Sequence, residues 1–73
     1  MYFRRLRDMR IDHDLSQAEL ASRFGIQQTV YSRYERGKQP IPLRLLIALA
    51  ELYDVSVDYL LGRTDNPKVN SER

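Results

Sequence analysis

The sequence contains no cysteine and only one histidine in 73 residues. Without thiols there are no disulfide staples and no thiolate metal sites, and one histidine cannot by itself hold a catalytic metal. No cofactor or metal is implied, and a reducing cytoplasmic home is expected. Long apolar runs are also missing, since none approaches the roughly 20 residues a membrane span requires. The opening stretch Met1-Tyr2-Phe3-Arg4-Arg5 has no apolar segment behind its basic residues, so no secretory leader and no membrane partner are expected. Nothing provides a nucleophile–base pair, a phosphate-cradling glycine loop or a metal cluster. The reading is therefore of a chain with no catalytic residues, not an enzyme, and no small-molecule ligand is evident.

Glycine is scarce, three in all, and each glycine falls where a helix would end. Internal repeats and strand-like alternation are absent. A chain this short is a single small domain that buries about 60% of the surface its unfolded form exposes, so its stability must come from tight helix packing. The fold class is all-α.

The net charge of +2 is modest, and its distribution says more than its size. Residues 1–44 carry nine Lys/Arg against five acids, whereas the remainder carries three against five. The positive field belongs to the first half.

Five helices are read from periodicity and end signals. Phe3, Leu6 and Met9 recur every third position between Tyr2 and Asp12, with arginines on the other faces, which gives a first helix. His13-Asp14 interrupts it. A second begins at Leu15-Ser16-Gln17-Ala18-Glu19-Leu20, where Ser16 and Glu19 form a capping box and Leu15 can staple Leu20. Gly25 ends this helix in the left-handed region, and a third runs from Gln28 to Arg36 and closes at Gly37. Two prolines break the loop from Lys38 to Pro42, and Pro42 suits the first turn of a fourth helix reaching about Tyr53. That helix is apolar nearly all round, which marks it as the central buried element. Ser56 caps a fifth, with Val55 and Leu60 as a second staple and Gly62 as its terminator. The domain is thus expected over residues 1–62, with residues 63–73, which hold one valine and no periodicity, as a flexible tail.

Two short helices joined by a tight glycine turn make a helix-turn-helix unit, whose second helix lies in the DNA major groove. Leu20, Phe24, Ile26, Tyr31 and Tyr34 supply the apolar crossing and Ala21 the small residue at closest approach. The segments Leu15-Ser16-Gln17-Ala18-Glu19-Leu20-Ala21, Phe24-Gly25-Ile26, Tyr31-Ser32-Arg33-Tyr34-Glu35-Arg36-Gly37 and Val55-Ser56-Val57-Asp58-Tyr59-Leu60-Leu61-Gly62, in that order, resemble the Cro and lambda-repressor-like (Xre-type) regulators. The resemblance runs from about Leu6 to Gly62 and implies a compact five-helix lambda-repressor-like domain.

It further implies that Gln17 contacts a phosphate and is placed to brace Gln28, that Gln28, Thr29, Ser32 and Arg33 face base edges, and that Arg36 and Lys38 lie near the DNA backbone. Gln27, where that family usually has a Ser or Thr cap, completes the candidate DNA-binding set and offers a poorer cap, worth about 1 kcal/mol. The residue types suit these roles, because Gln pairs bidentately with adenine, Arg with guanine, and Arg and Lys neutralise phosphates. Arg10 and Glu35 resemble a structural ion pair that ties the first helix to the recognition helix. Tyr31 replaces a usual Ile or Val, and its phenol must find a polar partner or reach the DNA. Val30 leans outward, toward a thymine methyl or into packing.

Other residues read more plainly. Tyr34 is placed in the core, His13 in a loop, and Asp54 and Asp58 serve solubility and N-terminal charge. Arg4, Arg5 and Arg7 form a solvated basic face, with phosphate contact as the alternative. The expected function is a sequence-specific regulator of transcription, a repressor that binds double-stranded DNA as a homodimer on a near-palindromic operator. The competing reading is a protein-binding module of the same fold, an antitoxin or bridging factor, with an exposed apolar patch around Leu43, Ile47 or Tyr59.

Overall fold

A computed structural model describes residues 2–68. It is all-helical among these residues, with α1 at Arg4–Asp12, α2 at Gln17–Arg23, α3 at Gln28–Glu35, α4 at Leu43–Tyr53 and α5 at Val57–Leu60. The architecture is the five-helix lambda-repressor-like domain implied by the sequence.

Every helix stops in the same way. Five residues have positive φ, namely Asp14, Gly25, Gly37, Asp54 and Gly62, one just past each helix. In each case the next amide reaches back to a carbonyl in the last turn, as in Ile26 N–H to Ala21 O at 3.0 Å and Val55 N–H to Ala50 O at 3.0 Å. These six-to-one closures satisfy carbonyls that a helix end would otherwise leave open. At Gly25, φ is +68° and a Cβ would meet nothing within 4 Å. Glycine is needed there for backbone conformation alone, not for space.

The starts are less uniform. Ser16 accepts from the Glu19 amide at 3.0 Å while Glu19 accepts from the Ser16 amide at 2.8 Å, which completes the capping box. Ser16 is what holds the exposed Glu19 carboxyl below the usual carboxylate range, through its amide first and its hydroxyl second. Ser56 caps α5 through the Tyr59 amide at 3.0 Å. Gln27 makes no side-chain cap bond to α3, and Pro42 stands at the N-cap of α4, one position before the first turn.

The centre of the core is shared. Leu6, Leu20, Tyr31, Leu49 and Leu60 are each fully buried, and each comes from a different helix. The expectation that α4 is the central buried element is therefore corrected. It buries only the face carrying Leu46, Leu49, Ala50 and Tyr53, and leaves Leu43 66% and Ile47 43% exposed. In so small a bundle each helix has neighbours on one side only, so an all-apolar helix still turns one face to water. Tyr34 is corrected too: Tyr31 occupies the core position, and Tyr34 is half-buried beside an apolar groove with Phe24, Ile26 and Leu45.

The expected tail begins at Arg63. Within its described part, the Ser56 amide donates to Pro67 O at 3.0 Å, and Arg5 on α1 reaches across to the same segment. Arg5 Nη1 donates to Thr64 O at 2.6 Å and to Tyr59 O at 3.0 Å, and Nη2 to Asp65 Oδ1 at 2.7 Å. Residues 69–73 of the expected tail lie outside the described residues.

Candidate nucleic-acid interface

The second and third helices pack with Ala21 buried at their crossing, and the turn at Gly25 lets α3 follow α2 within a few residues. Tyr31 and Glu35 face the interior, so the opposite side of α3 is presented outward. Gln28, Thr29 and Arg33 are exposed and Ser32 is half-exposed. With Gln17 and Arg36 they line a shallow cleft of about 240 Å³. The structure thus brings together six of the eight candidate residues. Gln27 and Lys38 are exposed at the two ends of α3, outside the cleft.

The cleft is lined by two amides, two hydroxyls and two guanidiniums, with no carboxylate. The one acid on α3, Glu35, is only 3% exposed and is bonded from four sides. Arg10 Nε donates to its Oε2 at 2.8 Å and Arg10 Nη2 to its Oε1 at 3.1 Å. Gln17 Nε2 donates to Oε1 at 3.0 Å and the Tyr31 hydroxyl to Oε2 at 2.8 Å. A carboxylate offers about four lone-pair sites, and here each is used. Burial pushes the Glu35 carboxyl up, but the bonds from Arg10, Gln17 and Tyr31 outweigh it and hold it below the usual carboxylate range. The bond to Glu35 likewise raises the Arg10 guanidinium, while burial and the neighbouring Glu35 raise the Tyr31 phenol.

This network has two consequences for the cleft. It joins α1 through Arg10, the start of α2 through Gln17 and both turns of α3, so the angle of the outward helix is fixed from behind. It also removes the only negative charge of α3 from the outer surface, leaving a donor-rich, positive face. The phenol of Tyr31 finds its polar partner inside, not at the surface. Gln17 donates to Glu35, and among the described residues no hydrogen bond joins it to Gln28. The bracing role implied for Gln17 is thus exerted on the far end of α3.

A helix-turn-helix family profile matches residues 6–60, which is the span of the bundle from the middle of α1 to the end of α5. The chain belongs to the Xre-type helix-turn-helix family. Among Xre-type relatives, the chain is 48% identical over all of its residues to the uncharacterized HTH-type transcriptional regulator YobD of Bacillus subtilis (strain 168), covering 65% of that protein. It is 36% identical over 92% of its length to the HTH-type transcriptional regulator ImmR of the same strain, covering 53% of it. It is 32% identical over 89% of its length to the cryptic phage CTXphi transcriptional repressor RstR of Vibrio cholerae, covering 59% of it. The chain spans between about half and two thirds of these relatives. No solved structure gives a significant match.

Sequence reasoning missed Arg5. Its side chain is 25% exposed and its guanidinium lies 4.0 Å from the centre of the Tyr59 ring, so it is neither solvated surface nor free for a phosphate. Its carbonyl partners lie 54 and 59 positions away in sequence, and no local pattern signals them. Asp54 is the left-handed cap of α4, while Asp58 lies in the first turn of α5 as N-terminal charge. His13 follows α1, with Nδ1 2.9 Å from Met9 O. Among the described residues no group of His, Cys, Asp and Glu is placed to hold a metal ion. No described helix is long and apolar enough to cross a membrane.

Proposed function

We propose that this chain binds double-stranded DNA sequence-specifically as a transcriptional repressor in the cytoplasm, acting as a homodimer on a near-palindromic operator. The observation that carries the reading is the carboxylate-free cleft of Gln17, Gln28, Thr29, Ser32, Arg33 and Arg36 on the outward face of α3. Gln28 and Arg33 are the base readers, Gln and Arg being the side chains that pair bidentately with adenine and guanine. Thr29 and Ser32 offer shorter contacts, and Gln17, Gln27, Arg36 and Lys38 supply positioning contacts to phosphates. One α3 enters each major groove of two half-sites about one helical turn apart, and occupancy of a promoter blocks transcription. Relatives named as a repressor and as transcriptional regulators support this reading.

Selection of bound sites from a random duplex pool tests it. The expected result is an enriched inverted repeat. A pool that stays random after repeated rounds overturns sequence-specific binding.

A second reading, a protein-binding module such as an antitoxin or bridging factor, is favoured by the exposure of Leu43 and Ile47. A stoichiometric partner recovered equally well by the chain and by its Arg33→Ala variant would support it.

A further inference from the structure

The charges on α4 run against its own dipole. The N-terminus of a helix carries partial positive charge and favours acids, and the C-terminus favours bases. In α4 the first turn has no acid and the last turn no base. Instead Arg44 lies in the first turn and Glu51 in the last. Both are exposed, and neither belongs to an ion pair among the described residues.

These two residues flank the apolar surface that the fold leaves uncovered. At about 100° per residue, Leu43, Ile47, Glu51 and Arg44 fall within one arc of roughly 100°, outside the buried stripe of Leu46, Leu49, Ala50 and Tyr53 and bordering it at Ala50. Leu43 and Ile47 are 66% and 43% exposed. The face therefore carries its base in the first turn of α4 beside Leu43, Ile47 in the middle and its acid in the last turn.

We infer that this face of α4 is the surface on which a second copy of the chain docks, with the two α4 helices antiparallel about a two-fold axis near Ile47. A two-fold contact must be self-complementary, because each residue meets its own counterpart's neighbours. With Ile47 at the axis, Arg44 of one copy comes opposite Glu51 of the other, twice over, and Leu43 packs beside the partner's last turn. Antiparallel apposition also sets each unfavourable charge beside the helix end that suits it. A parallel arrangement would place Arg44 on Arg44 and Glu51 on Glu51. Only two large apolar side chains of α4, Leu43 and Ile47, are exposed, so association is weak in free solution and is completed where adjacent half-sites hold two copies together. The inference rests on the dimeric DNA-binding reading and names its surface.

The absence of native cysteine gives a direct test on the purified chain without DNA. Ile47→Cys is expected to form disulfide-linked dimers severalfold faster under mild oxidation than Ala18→Cys, an exposed control on α2. Adding Arg44→Glu to Ile47→Cys should slow cross-linking by roughly tenfold, because the symmetry counts each reversal twice. Adding Glu51→Arg to that variant should restore it. Cross-linking at Ile47 no faster than at Ala18, or insensitive to the charge reversals, overturns the proposal. A different protein as the natural occupant of this face would give that same negative result. Site selection with the unaltered chain reports the DNA-binding reading separately, so paired half-sites together with no cross-linking would overturn this surface alone.

Discussion

Tyr31 and Glu35 stand one turn apart on α3, and the buried phenol of the first donates to Oε2 of the second at 2.8 Å. The pair turns what would be an apolar contact into part of the frame that holds α3 at its angle to α1 and α2. Tyr31→Phe keeps the ring and removes the donor. Hydrogen bonds to charged groups are worth about 1.5–3 kcal/mol, so the variant should lose stability of that order in urea unfolding. Arg10→Met, which strands the carboxylate from its cation, should lose about 3–5 kcal/mol.

The same carboxylate sets an acid limit. Its pKa lies below the ordinary value in the folded chain, so its network stabilises fully above the unfolded glutamate value of about 4.3. That contribution declines as pH falls below this value and through the lower folded one. Glu35→Gln should therefore be less stable than the parent at neutral pH and show a shallower fall in stability as the pH drops below about 4.3. Parallel acid-unfolding curves would contradict the role.

The hydroxyl of Tyr53 presents the opposite case. It is buried and has no hydrogen-bond partner among the described residues, and burial pushes its pKa up to about 12. Its ring lies against His13 with centroids 4.9 Å apart. Removing an unsatisfied hydroxyl relieves a desolvation cost of about 1–3 kcal/mol while leaving the ring in place. Tyr53→Phe should be at least as stable as the parent in thermal unfolding, and a lower Tm would show that the hydroxyl is satisfied.

Arg5 clamps the segment after α5. Arg5→Ala removes the cation–π contact with Tyr59 and the bonds to two carbonyls, a loss of about 1–2 kcal/mol; the Asp65 contact, with Asp65 98% exposed, adds little. Amide exchange gives the local readout, because the Ser56 amide is bonded to Pro67 O. In the variant Ser56 should exchange faster, while the Tyr31 amide in the core changes only in step with global stability.

Base reading and phosphate contact separate by their dependence on sequence. Arg33→Ala should weaken binding and relax preference at one base pair by about 1–3 kcal/mol, whereas Lys38→Ala should weaken all duplexes alike and lower the salt slope by about one. Titrations of selected and scrambled duplexes at several salt concentrations would measure both. Equal loss of preference in the two variants would contradict the assignment of roles.

Much of this was legible in the chain. The capping box at Ser16, the left-handed stops at the glycines and the alternation of buried and outward residues on α3 are local signals, each set by a few neighbouring residues. Asp14 and Asp54 do the work of terminating glycines, and only the interruption at His13-Asp14 was visible, since aspartate tolerates the left-handed region without advertising it. The sequence offered both burial of α4 on all sides and an exposed patch at Leu43 or Ile47, and the structure has the second at both residues; apolarity marks a residue fit for burial and not whether a neighbour exists to bury it. Nor did periodicity separate Tyr31 from Tyr34, which lie three positions apart and differ only in which neighbours the other helices bring. Arg5 was the least legible, its partners being backbone carbonyls, which every residue possesses.

The five side chains that meet at the centre, Leu6, Leu20, Tyr31, Leu49 and Leu60, come one from each helix. No fragment of the chain therefore owns a complete interior. A peptide confined to residues 17–36 would carry the whole cleft of Gln17, Gln28, Thr29, Ser32, Arg33 and Arg36 with two fifths of the side chains that keep it in shape. It would sample the right geometry only in passing, so the shape of the cleft is a property of the entire bundle and is acquired or lost in one step.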